Sequence, residues 1–304
     1  IKKNLIISIL ISMVLGLLAG YFLDDVSWLK STILPLTFML VYPMMVTLKL
    51  ESILQKTNVK LQVATQIINF VVFPLLAYGI GLIFFKEEPY FRLGLLLISL
   101  LPTSGMTISW TVMSKGNVNE AIRMVVIGLL LGALLSPLYI TFFMGEAISV
   151  PITKIFTQII VVVFVPLVLA FITQRVLKKK YGEEKFHKSI KPKFPPFSTL
   201  GVVIIIFVAV AVRAKVIINN PGMILTILIP LIIIYFLFFV ISVGTAKIFF
   251  NREDGIALVN GTLIRSLSIS LAITLTAFEG AGIAALLIAI AYTIQVQIAA
   301  WNVK

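Results

Sequence analysis

Arg265 carries the sharpest chemistry in the chain. It stands in an apolar stretch that also holds Asn260, Gly261, Thr262, Ser266, Ser268 and Ser270. A charged side chain at the middle of a membrane-spanning segment costs from roughly 3 to more than 10 kcal/mol, so it turns toward protein or water and meets an anion or carbonyl oxygens. Three fates are open: reaching the headgroups, pairing with carbonyls freed by a broken helix, or serving as the fixed cation of a substrate or coupling site. No acidic residue stands in the core of an apolar segment to neutralise it, since Glu120 and Glu279 lie near segment ends. A second polar cluster reads Leu-Leu-Pro-Thr-Ser-Gly-Met-Thr over residues 100–107, with Ser109 just beyond. Pro102 lacks an amide donor and clashes with the carbonyl four residues back, and Gly105 adds freedom, so the helix is expected to break there. A bilayer offers no partner to the freed backbone, which must face protein or a wet cavity. The plainer alternative is a proline kink whose hydroxyls bond back to their own helix. Taken together, Thr103, Ser104, Thr107, Ser109, Asn260, Thr262, Arg265, Ser266 and Ser268 are the candidate substrate- or ion-binding residues, in a polar chamber between two interrupted segments.

Other polar residues within apolar segments are Asn69, Gln158, Gln295 and Gln297. Such amides more often join helices than bind ligands. Asn69 and Gln295 are kept as candidates, and because Gln295 and Gln297 are two apart on a helix, at most one of them faces the site. Pro35, Pro43, Pro74, Pro137, Pro166 and Pro230 read as kinks. The sequence has no cysteine and a single His, His187 in a basic stretch, so thiolate or histidine-rich metal centres are excluded and no metal or cofactor is expected. No glycine-rich phosphate loop and no His-Glu-x-x-His pattern occurs, which argues against an enzyme and against direct ATP drive.

The elements that position these residues follow from composition. Of 304 residues, 60% are hydrophobic and 12% charged, with mean hydropathy +1.11. That excludes a soluble globular domain and predicts an all-α integral membrane protein. The polar breaks define ten spans, at roughly 4–23, 31–49, 61–85, 91–113, 118–143, 152–174, 197–217, 222–249, 255–277 and 281–302, each long enough to cross about 30 Å of hydrocarbon. The first is read as a span rather than a removable signal. With the N-terminus in the cytoplasm, eighteen of the 25 Lys and Arg fall on cytoplasmic stretches, including Lys2, Lys3, Lys49, Lys56, Lys60, Lys115, Arg123 and Lys304. Eight of these crowd the loop at 175–196, and only Lys30, Lys86, Arg92, Lys154, Arg213 and Lys215 fall outside. The net charge of +13 is thus a topology signal rather than a nucleic-acid footprint, and it puts both termini in the cytoplasm. The basic loop separates two halves, 1–150 and 151–304, of five spans each. An odd number of spans makes duplicate halves inverted repeats. A faint echo fits: Thr107 aligns with Ser268 and Ser109 with Ser270, in the fourth span of each half.

Arg92-x-Gly94, Met106 followed by Trp110, Lys115-Gly116-Asn117, Tyr42-Pro43 and Asn69-x-x-x-x-Pro74 together resemble the arsenite-efflux permeases of the bile acid/arsenite/riboflavin transporter superfamily. The resemblance covers all ten spans. It implies a panel domain, a core domain, and discontinuous helices four and nine that cross near a central site. It also marks two departures. Thr103 stands where those permeases are similar in having a cysteine, and Gln295 stands where they have a carboxylate, so thiolate capture of arsenite and proton carriage at that position are both impossible here. The related bile acid/sodium symporters hold sodium through a Glu-centred cluster in span nine, where this chain has Arg265 instead.

The expectation is a secondary transporter in a prokaryotic plasma membrane. It would export a small oxyacid or anion by alternating access, with a proton or sodium as the coupling ion. A sodium-coupled symporter of organic anions is the alternative, and a channel or non-transporting sensor the third reading.

Overall fold

The structure, a computed structural model, describes residues 5–23, 25–48, 57–148, 152–220, 222–278 and 281–301. Lys2, Lys3, Lys49, Lys56, Glu279 and Lys304, and the expected boundary between the halves at 150/151, lie outside the described residues. Among the described residues the regular structure is helical, apart from one isolated antiparallel bridge between Pro102 and Arg265.

The helices in chain order are α1 Leu5–Phe22, α2 Ile33–Val46, α3 Val59–Ile67, α4 Phe73–Phe84, α5 Pro89–Leu100, α6 Gly105–Met113, α7 Val118–Met144 and α8 Ile152–Ile159. They continue with α9 Val165–Tyr181, the single turn α10 Glu183–Lys185, α11 Pro195–Ala211, α12 Ala214–Asn219, α13 Gly222–Phe249, α14 Arg252–Leu263, α15 Leu267–Ala277 and α16 Gly282–Trp301. Seven helical stretches, among them Val59–Phe84, Val118–Met144 and Gly222–Phe249, are long and apolar enough to cross a membrane. Ile7–Phe22, Pro89–Leu100 and Leu267–Ala277 are shorter apolar helices.

Helix starts follow sequence chemistry. Asn58, Asn117 and Asn251 cap α3, α7 and α14 by accepting from Leu61 N, Glu120 N and Asp254 N at 3.2, 3.3 and 2.9 Å. The three caps also meet: Asn58 and Asn117 donate their amides to the Asp254 carboxylate at 2.9 and 2.8 Å. The expected kinks at Pro74 and Pro166 take the form of π turns, Ile68–Val72 between α3 and α4 and Ile160–Phe164 between α8 and α9. Pro74 leaves the Phe70 carbonyl without its helical donor, and the Tyr139 hydroxyl donates to it instead.

Two expectations need correcting. Arg123, assigned to a cytoplasmic loop, lies on α7, buried and ion-paired with Glu120 one turn before it. The stretch 175–196 is not plain loop: α9 runs through its first residues to Tyr181, and short helical turns follow, because a run of lysines continues a helix readily once packing has nucleated it.

The helices pack in two groups. In one, α1 lies on α11, α11 on α2 and α2 on α9. In the other, α4 lies on α5, α5 on α7 and α16, and α14 on α7 and α13. The α5/α6 break falls within the second group, whereas the α14/α15 break joins the two, with α14 on α7 and α13 and α15 on α16, α2 and α8.

Candidate functional site

α5 stops at Leu100 and α6 starts at Gly105, while α14 stops at Leu263 and α15 starts at Leu267. The two gaps lie against one another. Ser266 N donates to Leu101 O at 2.8 Å, completing the short bridge between Pro102 and Arg265. Each interruption frees backbone groups, and buried groups of this kind need partners.

Pro102 has no amide to give Ile98 O, and Thr103 has turned away from Ser99 O. The Arg265 guanidinium takes both, with Nε 3.1 Å from Ile98 O and Nη2 donating to Ser99 O. Nη1 donates to Thr262 O at 3.0 Å, the carbonyl that Ser266 N would serve in an unbroken helix, and to Asn69 Oδ1 at 2.5 Å. The Asn69 amide in turn donates to Gly261 O at 3.1 Å. Gln295 imitates a peptide unit: its Oε1 accepts from Arg265 N at 2.8 Å and its amide donates to Arg265 O at 3.1 Å. Ser270 donates to Leu97 O at 2.9 Å. Arg265 therefore does not reach the headgroups. It is 0% exposed, it lies 5.6 and 6.0 Å from the stacked rings of Phe73 and Phe238, and its acceptors are neutral oxygens.

The corner at Thr103 is strained. Its φ of 60° places a β-branched residue in the left-handed region. α7 makes room through two glycines, where an added Cβ would stand 2.9 Å from Thr103 Oγ1 at Gly128 and 3.1 Å from Leu100 O at Gly132. The Thr103 hydroxyl faces that helix, donating to Pro102 O at 2.7 Å with Met124 O and Val125 O at 3.5 and 3.4 Å. It is thus turned away from the guanidinium. Ser104 and Thr107 form a capping box at the start of α6, in which Ser104 Oγ accepts from Met106 N and Thr107 Oγ1 from Ser104 N. Those bonds occupy lone pairs and leave the hydroxyl protons available to an acceptor. Ser266, just ahead of α15, makes no capping bond, and its buried Oγ has no partner. Thr262 is engaged by Leu258 O at 2.8 Å and Ser242 Oγ at 2.7 Å, and Ser268 bonds the Tyr292 hydroxyl.

Of the candidates named from sequence, Asn69, Thr103, Thr262, Arg265, Ser266 and Gln295 meet at the crossing or against it, with Ser104 and Thr107 opening α6 and Ser268 opening α15. Asn260 is fully buried on α14, whereas Ser109 is exposed on α6. Gln295 is buried and Gln297 exposed, so one of that pair faces inward. Sequence reasoning missed Ser99, Tyr235 and Tyr292. Tyr235 donates to Gln295 Oε1 at 3.1 Å, and both tyrosines sit in long apolar runs that carry no local sign of a polar neighbour.

A sequence model of the Sodium Bile acid symporter family matches residues 33–220, more than half of the chain. The chain belongs to that family. The match takes in the α5/α6 break and ends before α14. The Arsenical-resistance protein Acr3 of Alkaliphilus metalliredigens is 23% identical over 256 residues, covering 79% of this chain and 71% of that protein. Acr3 of Corynebacterium glutamicum is 23% identical over 220 residues, 69% of this chain and 60% of its own length. The Sodium/bile acid cotransporter 7 of Danio rerio is 27% identical over 174 residues, covering 54% of this chain and 49% of that protein. These likenesses make the chain an integral membrane member of a transporter family, with relatives named for arsenical resistance and for bile acid cotransport.

Proposed function

We propose that this family member is a secondary transporter that exports a small oxyacid or anion by alternating access. The observation that carries the reading is the convergence of two helix breaks on one buried guanidinium. Helix N-termini favour anions, and α6 and α15 both begin at the crossing. Ser104, Thr107 and Ser266 supply hydroxyl donors there, with Ser268 and Asn260 beside them, while Arg265 cancels the negative ends of α5 and α14. Thr103, Thr262, Gln295 and Asn69 shape the crossing rather than touch the substrate, and Ser109 stands at its exposed side.

On this reading the chain crosses the membrane ten times as two inverted repeats. α5/α6 and α14/α15 are the broken fourth and ninth spans, and the two packing groups are the panel and the core. Both termini and the basic 175–196 stretch face the cytoplasm of a prokaryotic plasma membrane.

Sodium-coupled import of an organic anion is the second reading, favoured by the names of the family and of the bile acid cotransporter relatives. Thermal unfolding of the purified chain against arsenite, antimonite, bile salts and small organic acids, each with and without sodium, separates the two. Stabilisation by a small oxyacid without sodium supports export as proposed. Stabilisation only by bile salts with sodium favours symport, and no stabilisation by any anion contradicts both.

A further inference from the structure

The oxygens around Arg265 form a cation cage in their own right. Ile98 O, Ser99 O and Thr262 O are backbone carbonyls, Asn69 Oδ1 is an amide oxygen, and no carboxylate is among them. The carbonyls come from the last turns of α5 and α14, and two such ends together present about one unit of negative charge. The faces of Phe73 and Phe238 close the cage with further negative potential. Neutral oxygens at the ends of interrupted helices are the ligands that replace the water shell of a monovalent cation. A cage of this kind, left empty in a buried place, would strand several carbonyls without donors at roughly 1–3 kcal/mol each.

We propose that the Arg265 guanidinium is a built-in cation occupying a latent monovalent-cation site. The native chain therefore needs no sodium at the crossing, and a variant without the guanidinium takes a cation up there. Removing the side chain beyond Cβ opens space for an ion and the waters that complete its shell. The inference rests on hydrogen-bond geometry and stands apart from the transport reading, because it concerns cation binding and not flux.

The test is thermal unfolding of the purified full chain, as wild type, Arg265→Ala and Arg265→Gln, in choline chloride, potassium chloride, sodium chloride and millimolar methylguanidinium. The wild-type midpoint is expected to be the same in choline and in sodium. Both variants are expected to unfold lower in choline and to rise by about 3 °C in sodium or potassium at ten times the dissociation constant. Methylguanidinium should raise Arg265→Ala and leave Arg265→Gln unmoved, since the shorter glutamine side chain leaves room for a bare ion, to which its amide oxygen adds a ligand, but not for a guanidinium. The proposal is overturned if neither variant rises with any cation, if the wild type rises as much as the variants, or if neither variant is recovered folded with sodium in every buffer.

Discussion

Ser266 is the residue at which binding and stability come apart. Its Oγ is buried beside the crossing with no partner, so Ser266→Ala removes an unsatisfied group and should leave the unfolding midpoint unchanged or slightly higher. The same change removes a donor from the start of α15, and binding of whichever anion stabilises the wild type should fall about ten-fold, the effect of losing one hydrogen bond to a charged ligand. Anion titrations followed by thermal unfolding check both halves. A lower midpoint with intact binding would make the serine a packing residue. Arg265 was legible from sequence as a buried charge lacking a carboxylate. Its partners were not, because carbonyl acceptors have no sequence signature, and which ones stand free depends on where the chain breaks.

Among the elements, α7 limits how closely the α5/α6 corner can approach. Gly128→Ala would set a Cβ 2.9 Å from Thr103 Oγ1 and 3.2 Å from Pro102 Cγ, against a residue already strained at φ 60°. Over-packing of this kind costs about 1–3 kcal/mol and should lower the unfolding midpoint, whereas Gly79→Ala on α4, where nothing lies within reach of the new Cβ, should not. Equal midpoints for the two variants would contradict the close approach. The break at Pro102 could be foreseen from proline chemistry, and the polar run after Asn260 pointed to the second. The gap between Leu263 and Leu267 holds neither proline nor glycine, however, and long-range partners, Leu101 O for Ser266 N and the Gln295 amide for Arg265 N and O, hold the chain open there. Long-range pairing of that kind leaves no local pattern. The π turns before Pro74 and Pro166 were legible as kinks but not as π turns, since the proline fixes which bond is lost and the surrounding helices decide how the chain relaxes.

For the whole molecule, the distribution of Lys and Arg predicts an orientation that can be measured directly. The chain has no cysteine, so a single thiol reports its own side of the membrane. In sealed right-side-out vesicles a membrane-impermeant maleimide should label Lys86→Cys and spare Lys188→Cys, and permeabilisation should expose the latter. The reverse pattern would invert the topology. The two packing groups and the crossing they support lead to one question of function: whether the guanidinium that ties the breaks together is required for flux. The decisive measurement is transport of the stabilising anion by sodium-free proteoliposomes containing wild type or Arg265→Ala, with folded protein verified by monodispersity. A loss of roughly ten-fold or more, equivalent to at least about 1.4 kcal/mol, is the predicted result. Undiminished flux from a folded Arg265→Ala protein would contradict the account at its centre.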